Sequence, residues 1–314
     1  MLRAILLGIV QGITEFLPIS SSAHLSIVPR LLGYSTPTLA FEVLLHFGTL
    51  AAVAAYFARD LWAFVLCLVA PGRLGPEEAA ARRRLLGLLA LASVPAAAVG
   101  FLLQDWADQQ TARPLRASVW LVLTTVIMIA AELYDRSRRA RPAPASAPGE
   151  LEGGEEEATA GRAGTRVQRH HGRGPGTVTD PPDAQQELQR LPVAKATGIG
   201  LGQALALIPG TSRSGITISV GLFEGVSRET AARFSFLLSI PAILGAGILK
   251  LDDLSGATET SAELLAGTIA AAVSGFLAVS FLIRLLRTRT LWPFIWYRLV
   301  AGTLFVLLLS TVRS

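Results

Sequence analysis

The stretch "QGITEFLPISSSAH" (residues 11–24) sets a carboxylate, Glu15, beside three hydroxyls, Ser20, Ser21 and Ser22, and an imidazole, His24. A serine becomes a nucleophile when a neighbouring base takes its proton, and either Glu15 or His24 could be that base. Gln11 and Glu15 are four residues apart and share one face of the first half-helix. A second stretch, "LIPGTSRSG" (207–215), supplies a Pro209-Gly210 turn, two capping hydroxyls in Ser212 and Ser214, and a fixed cation in Arg213. The planar arginine fork matches phosphate oxygens, and the free N–H groups of a helix start attract the same ligand. The chemistry these residue types suggest is the binding of, and attack on, a phosphate.

Each residue also has a structural reading. The serines could cap a helix and His24 could pack in a core. Glu15 and Arg213 have less structural excuse, because an ionisable group among apolar neighbours is costly unless it is used. His46, four residues after Glu42, is open to both readings, as half of a helix-stabilising pair or as part of a site.

The elements that must position these groups are apolar. Of 314 residues, 51% are hydrophobic and 16% charged, against about 25% charged in a soluble domain. The apolar residues gather in six blocks: 38–57, 85–103, 117–133, 230–249, 264–283 and 291–309. Each approaches the ~20 residues that cross a bilayer as a helix. The expected fold class is an all-α integral membrane protein. Residues 1–10 resemble a signal peptide only in outline, since no small-residue cleavage site follows; they are expected to stay in the chain. A single cysteine, Cys67, excludes an internal disulfide and a thiolate metal cluster. The net charge of +5 is explained by arginines at span ends, so no nucleic-acid partner is expected.

Pro18 and the serine run interrupt the first apolar segment too early for it to span, which predicts a re-entrant hairpin. The chain also repeats itself. "FLPISSSAH" (16–24) echoes "LIPGTSRSG" (207–215), and "FEVLLHFGTLAA" (41–52) echoes "FSFLLSIPAILG" (234–245) at nearly the same offset. The expected plan is an inverted repeat, each half one re-entrant helical hairpin plus three transmembrane helices. The halves are 1–134 and 192–314. Between them, 135–191 is rich in Pro, Gly, Ala and charge and is expected to be disordered. His170 and His171 lie there without flanking ligands. With the first hairpin returning to its own side, Arg59, Arg73, Arg82–Arg84, Arg136–Arg141, Arg228, Arg284, Arg287, Arg289 and Arg298 fall on the other. That side is expected to be cytoplasmic, with both termini outside.

These motifs resemble the undecaprenyl-diphosphate phosphatase family of bacteria, the bacitracin-resistance type. The family's (E/Q)-x-x-x-E followed by proline, serines and histidine reads here as Gln11, Glu15, Pro18, Ser20-Ser21-Ser22 and His24; its P-G-x-S-R-S-G reads as 209–215. "FEVLLHFGTLAAV" and "GVSRETAARFSFLLSIP" also resemble family segments. The likeness covers everything except the linker. It implies hydrolysis of undecaprenyl diphosphate to the monophosphate, recycling the carrier for cell-wall synthesis, in the bacterial plasma membrane with an extracytoplasmic active site. It further implies a divalent cation, Mg2+ or Ca2+, on Glu15 and Gln11, with membrane lipid and a homodimer as further partners. Two features depart from the pattern. Gln11 stands where some members carry glutamate, and the linker has no counterpart in compact members.

The expected mechanism is attack by Ser21 on the terminal phosphorus, with His24 or Glu15 as base and with Arg213, Ser212, Ser214, Ser20, Ser22 and Gly210 around the phosphate. His24 as nucleophile is the nearest variant. The rival class is a carrier, a lipid-phosphate flippase or an anion transporter, which would use the same mid-membrane anion site without needing a nucleophile and base.

Overall fold

A computed structural model describes residues 1–111, 113–140, 183–250 and 256–311, of which 104, 105 and 107–111 are described for the backbone alone. It is all-helical over these residues, with α1 (Leu2–Phe16), α2 (Ser21–Leu31), α3 (Leu39–Tyr56), α4 (Ala58–Val69), α5 (Pro76–Thr111), α6 (Pro114–Ala140), α7 (Ala184–Gln189), α8 (Val193–Leu205), α9 (Arg213–Phe223), α10 (Arg228–Leu249), α11 (Ser261–Thr288) and α12 (Trp292–Thr311). Six are long and apolar enough to cross a membrane: α3, α5 as far as Leu103, α6, α10, α11 and α12. Their outer faces carry large exposed apolar side chains, such as Leu123 and Val126 on α6 and Ile269 and Val273 on α11. Lipid, not water, suits such a surface.

Two polar clusters mark the opposite ends of the bundle. At one, the Met1 ammonium pairs with Glu263, Arg3 donates to Glu259 and to the Thr36 carbonyl, and the Thr38 hydroxyl donates to Glu259. At the other, Arg82 pairs with Asp60, Arg84 donates to the Gln189 and Leu191 carbonyls, and Arg228 grips Glu132 through Nε and Nη2 at 3.1 and 2.6 Å. Glu132 and Asp135 are fully buried, which is affordable because Arg228 pairs with both, Arg138 and Arg139 also pair with Asp135, and the Leu291 N–H donates to Glu132.

The α1–α2 pair enters and returns at the first end, where Arg3 meets Thr36. The α8–α9 pair enters and returns at the arginine end, where Gly198 lies against the Glu224 carboxylate. Both pairs break at a serine with left-handed backbone, Ser20 at φ 75° and Ser212 at φ 69°, and each break starts a helix of 11 residues. Each hairpin packs mainly on the far half of the chain, α1 against α11 and α8 against α5. Small residues allow the approach. A Cβ on Gly12 would stand 2.0 Å from the Ser274 hydroxyl and 2.5 Å from the Ala271 carbonyl of α11.

Two expectations change. Arg298, counted among the arginines at the membrane face, is fully buried in the middle of the bundle and leaves that tally. The linker is shorter than 135–191. Residues 135–140 extend α6, and α7 docks through buried Ala184 and Leu188 while the Glu187 carboxylate accepts from the Ser227 N–H and the Thr230 hydroxyl. Charge and alanine content alone do not separate a docked helix end from a free chain, because the docking partners are distant in sequence. The rest of the linker, with His170 and His171, lies outside the described residues. Because 142–182 is rich in Pro, Gly, Ala and charge with almost no large apolar residue, replacing it by a Gly/Ser chain of equal reach is expected to leave thermal stability unchanged. Carrying the replacement on to 188 should cost about 4 kcal/mol, two side-chain hydrogen bonds at roughly 1 kcal/mol each and the buried Leu188 side chain at about 2, read by thermal denaturation in detergent.

Candidate active site

The two hairpin tips meet inside the bundle, and side chains lace them together. Ser22 Oγ accepts from the Gly210 N–H at 3.1 Å, and Ser214 Oγ donates to the Leu17 carbonyl at 3.2 Å. Gly210 has φ +96°, and a Cβ there would lie 2.1 Å from the Ala117 carbonyl, so both conformation and space require glycine. Arg298 pins both tips from behind. Its Nη1 donates to the Pro18 and Thr211 carbonyls, its Nη2 to the Leu121 carbonyl and the Thr124 hydroxyl, and its Nε to the Thr125 hydroxyl.

Glu15 is the hub. Its Oε2 accepts from the Ser21 hydroxyl at 2.7 Å and from Gln11 Nε2 at 3.2 Å, and its Oε1 accepts from Arg213 Nη2 at 2.7 Å. His46 on α3 brings Nε2 to 3.7 Å from Glu15 Oε2, while its Nδ1 bonds the Glu42 carbonyl at 2.8 Å. An Nδ1–H donated to that carbonyl leaves Nε2 as the basic nitrogen facing the carboxylate. Arg213 Nη1 and Gln11 Oε1 are buried without a partner among the described residues. A serine hydroxyl, a carboxylate in contact with it, an imidazole and an unspent guanidinium thus gather around Glu15.

A family model for "Bacitracin resistance protein BacA" matches residues 4–304. The chain belongs to the BacA family. Among its relatives, a protein named undecaprenyl-diphosphatase from Pelotomaculum thermopropionicum is 38% identical over 99% of this chain and 97% of its own. Others of that name, from Chlorobium phaeovibrioides and Alcanivorax borkumensis, are 39% and 40% identical, over 98% and 96% of this chain and 97% and 96% of their own.

For this BacA family chain the geometry sorts the expected residues. Glu15, Gln11, Ser21 and Arg213 come together. Ser20, Ser22, Ser212 and Ser214 have tasks in the tips: Ser20 and Ser212 are N-caps, Ser212 Oγ accepts from the Gly215 N–H, and Ser22 and Ser214 make the ties between hairpins. His24 is turned away from Glu15. Its Nδ1 bonds the Ser20 carbonyl at 2.7 Å, its Nε2 bonds the Tyr297 hydroxyl at 2.7 Å, and its ring lies against Tyr297 and Phe305. His46 takes the place beside the carboxylate that sequence spacing offered to His24. The sign available in the sequence was an imidazole within an apolar span, four residues from Glu42. Arg298 was also legible in kind, as a charge well inside the apolar run that became α12.

The donor set fits a hard divalent cation. Glu15 supplies a carboxylate, Gln11 an unpartnered amide oxygen and Ser21 a hydroxyl. Among the described residues no group of three His, Cys, Asp or Glu could cage a metal, so substrate phosphate oxygens and water would complete the shell, as is usual for Mg2+.

Proposed function

We propose that this protein hydrolyses undecaprenyl diphosphate to undecaprenyl phosphate and inorganic phosphate at the meeting point of the two hairpin tips. The observation that carries this reading is the Ser21–Glu15–Arg213 chain of contacts, supported by relatives named undecaprenyl-diphosphatase. A carrier would need Arg213 and the helix ends but no nucleophile bonded to a carboxylate.

In the proposed sequence, the terminal phosphate of the substrate engages Arg213, whose Nη1 has no partner among the described residues. Drawing the guanidinium toward phosphate weakens its hold on Glu15 and leaves that carboxylate freer to take the Ser21 proton. Ser21 Oγ forms a bond to the terminal phosphorus as the bridging P–O bond breaks, and undecaprenyl phosphate leaves. Water then cleaves the phosphoserine P–O bond, its proton passing to His46 Nε2 while the proton held on Glu15 returns to Ser21 Oγ, and phosphate is released. Arg213 and the N–H groups at the start of α9 stabilise charge on the phosphoryl oxygens throughout. A divalent cation held by Glu15 and Gln11 Oε1 would add Lewis-acid stabilisation of the same oxygens.

The inverted repeat belongs to this proposal. The hairpins open at opposite ends, and the packing is reciprocal, α1 on α11 and α8 on α5. With the arginine-rich end in the cytoplasm, the termini and the mouth of the first hairpin face outward, in the plasma membrane. A homodimer is a further element of the proposal that the single chain leaves open.

Phosphate release from undecaprenyl diphosphate by purified protein, with and without EDTA, tests the reading; no release in either condition refutes it. Arg213→Lys keeps the charge but loses the fork, and is expected to lower kcat/KM by about two powers of ten, with the protein still folded.

A further inference from the structure

Gln203 in α8 occupies the position that Gln11 holds in α1, at the same spacing ahead of the N-cap serine that begins the next helix. The two amides differ in one respect. One turn beyond Gln11 stands Glu15, which accepts from it, whereas one turn beyond Gln203 stands Leu207. Gln203 is 3% exposed, and neither its Nε2 nor its Oε1 has a partner among the described residues. Desolvating an amide without replacing its hydrogen bonds costs stability, so such a group marks a place where a ligand completes the bonding.

Gln203 lines a cavity of about 820 Å3 between α5, α8 and α10. The cavity's polar inner lining includes Arg213, whose buried Nη1 is the other unpartnered donor there. Its walls are apolar, with Ala97, Leu207, Pro241 and Gly245 among them, and Trp106 and Lys250 also border it. A second groove, about 860 Å3 between α1 and α11, is lined by Ile5, Ile9, Ile13 and Ile269. The polar side chain there, Ser274, bonds the Gly8 and Ala270 carbonyls within the bundle. Of the two spaces, only one presents free donors beside the active site.

We infer that the α5–α8–α10 cavity seats the isoprenoid arm of the substrate, with the Gln203 amide donating to the lipid-linked phosphate. This rests on the hydrolase reading above. The Arg213 guanidinium stands at the boundary, with Nη2 on Glu15 beside Ser21 and Nη1 left unpartnered among the described residues. A diphosphate straddling it puts its terminal phosphate at Ser21 and its lipid-linked phosphate, the leaving group, at Gln203. The isoprene units nearest the phosphate then run along the apolar walls.

The experiment uses the full chain in detergent and undecaprenyl diphosphate as probe. It reads KM and kcat, and equilibrium binding on the Ser21→Ala background, which needs no turnover. Gln203→Leu should raise KM and weaken binding roughly tenfold, about the loss of one hydrogen bond to a phosphate, while thermal stability holds or rises because an unpaired amide is gone. Gln203→Met, unbranched and of similar length, repeats the test if leucine disturbs α8. A Cβ on Gly245 would meet nothing within 4 Å, so Gly245→Trp fills the cavity and should weaken binding by a similar factor. Ile269→Trp, in the other groove, should leave binding within twofold. Unchanged binding in both Gln203 variants, or a loss in Ile269→Trp equal to that in Gly245→Trp, overturns the assignment. A protein that binds with the expected pattern yet releases no phosphate refutes the hydrolase reading and leaves the cavity assignment standing.

Discussion

Ser21→Ala is expected to abolish phosphate release, by about three powers of ten or more, while undecaprenyl diphosphate still binds. The change removes the oxygen proposed to attack phosphorus and leaves Arg213, Gln11 and both helix starts untouched. Glu15 keeps its bonds to Arg213 and Gln11, so the tips should stay joined and thermal stability should hold. Ser20→Ala and Ser22→Ala should cost far less, because the Ser20 hydroxyl bonds Ser22 and caps no helix N–H, and a single tie between the tips is worth about 1 kcal/mol. Histidine substitutions sharpen the test. His46→Ala should lower kcat by roughly two powers of ten if Nε2 handles a proton beside Glu15. His24→Ala should act through packing, and His24→Asn, which restores a donor toward the Ser20 carbonyl, should recover much of the loss. Rapid quench with labelled substrate should leave acid-stable label on serine. Label on histidine, or full turnover in Ser21→Ala, ends the serine scheme.

Arg298→Met is expected to be the most damaging change remote from the phosphate. Among the described residues Arg298 has no acidic partner; its guanidinium is held by two threonine hydroxyls and by carbonyls from α6 and both hairpin tips. Methionine fills similar volume but leaves the Pro18 and Thr211 carbonyls without that donor, at roughly 1–3 kcal/mol each, partly offset by the relief of burying no charge. A net loss near 3 kcal/mol corresponds to a fall of about 10 °C in the melting temperature in detergent. Turnover should fall as well, because Pro18 and Thr211 flank the breaks that present Ser21 and Arg213. Wild-type stability and rate in Arg298→Met would mean that the tips hold their shape without the peg. Arg298→Lys should not rescue, since one ammonium cannot reach acceptors on three sides.

What could be read from the sequence followed the physics of each signal. The six spans were legible because hydropathy is a local property, and the two breaks because Pro18, Pro209 and the serine runs interrupt it locally. Glu15 and Arg213 were legible as charges out of place, although their contact joins residues from opposite halves. His24 shows the limit. Ser21 and His24 are three apart and emerge on neighbouring faces of α2, but which face meets the second half is decided by Tyr297 and Phe305 on α12. No spacing rule carries that information. Arg298 was misplaced for a related reason: counting arginines by side assumes that each lies at a span end, and only the bundle's interior shows the carbonyls that hold this one. The α7 segment looked like linker because its anchor, Glu187 against Ser227 and Thr230, crosses from one composition to another.

The reciprocal packing of hairpins on spans has a consequence for biogenesis. While the chain is being made, α1 enters the bilayer with Glu15 lacking its arginine and with its glycine face bare, because α9 and α11 have not yet been synthesised. The amino-terminal half must wait, carrying an uncompensated carboxylate at membrane depth, until most of the chain has left the ribosome. Maturation is thus a single late event that closes both halves at once. A nascent chain stalled before α9 would display the charge and the unfilled groove that membrane quality-control proteases can recognise.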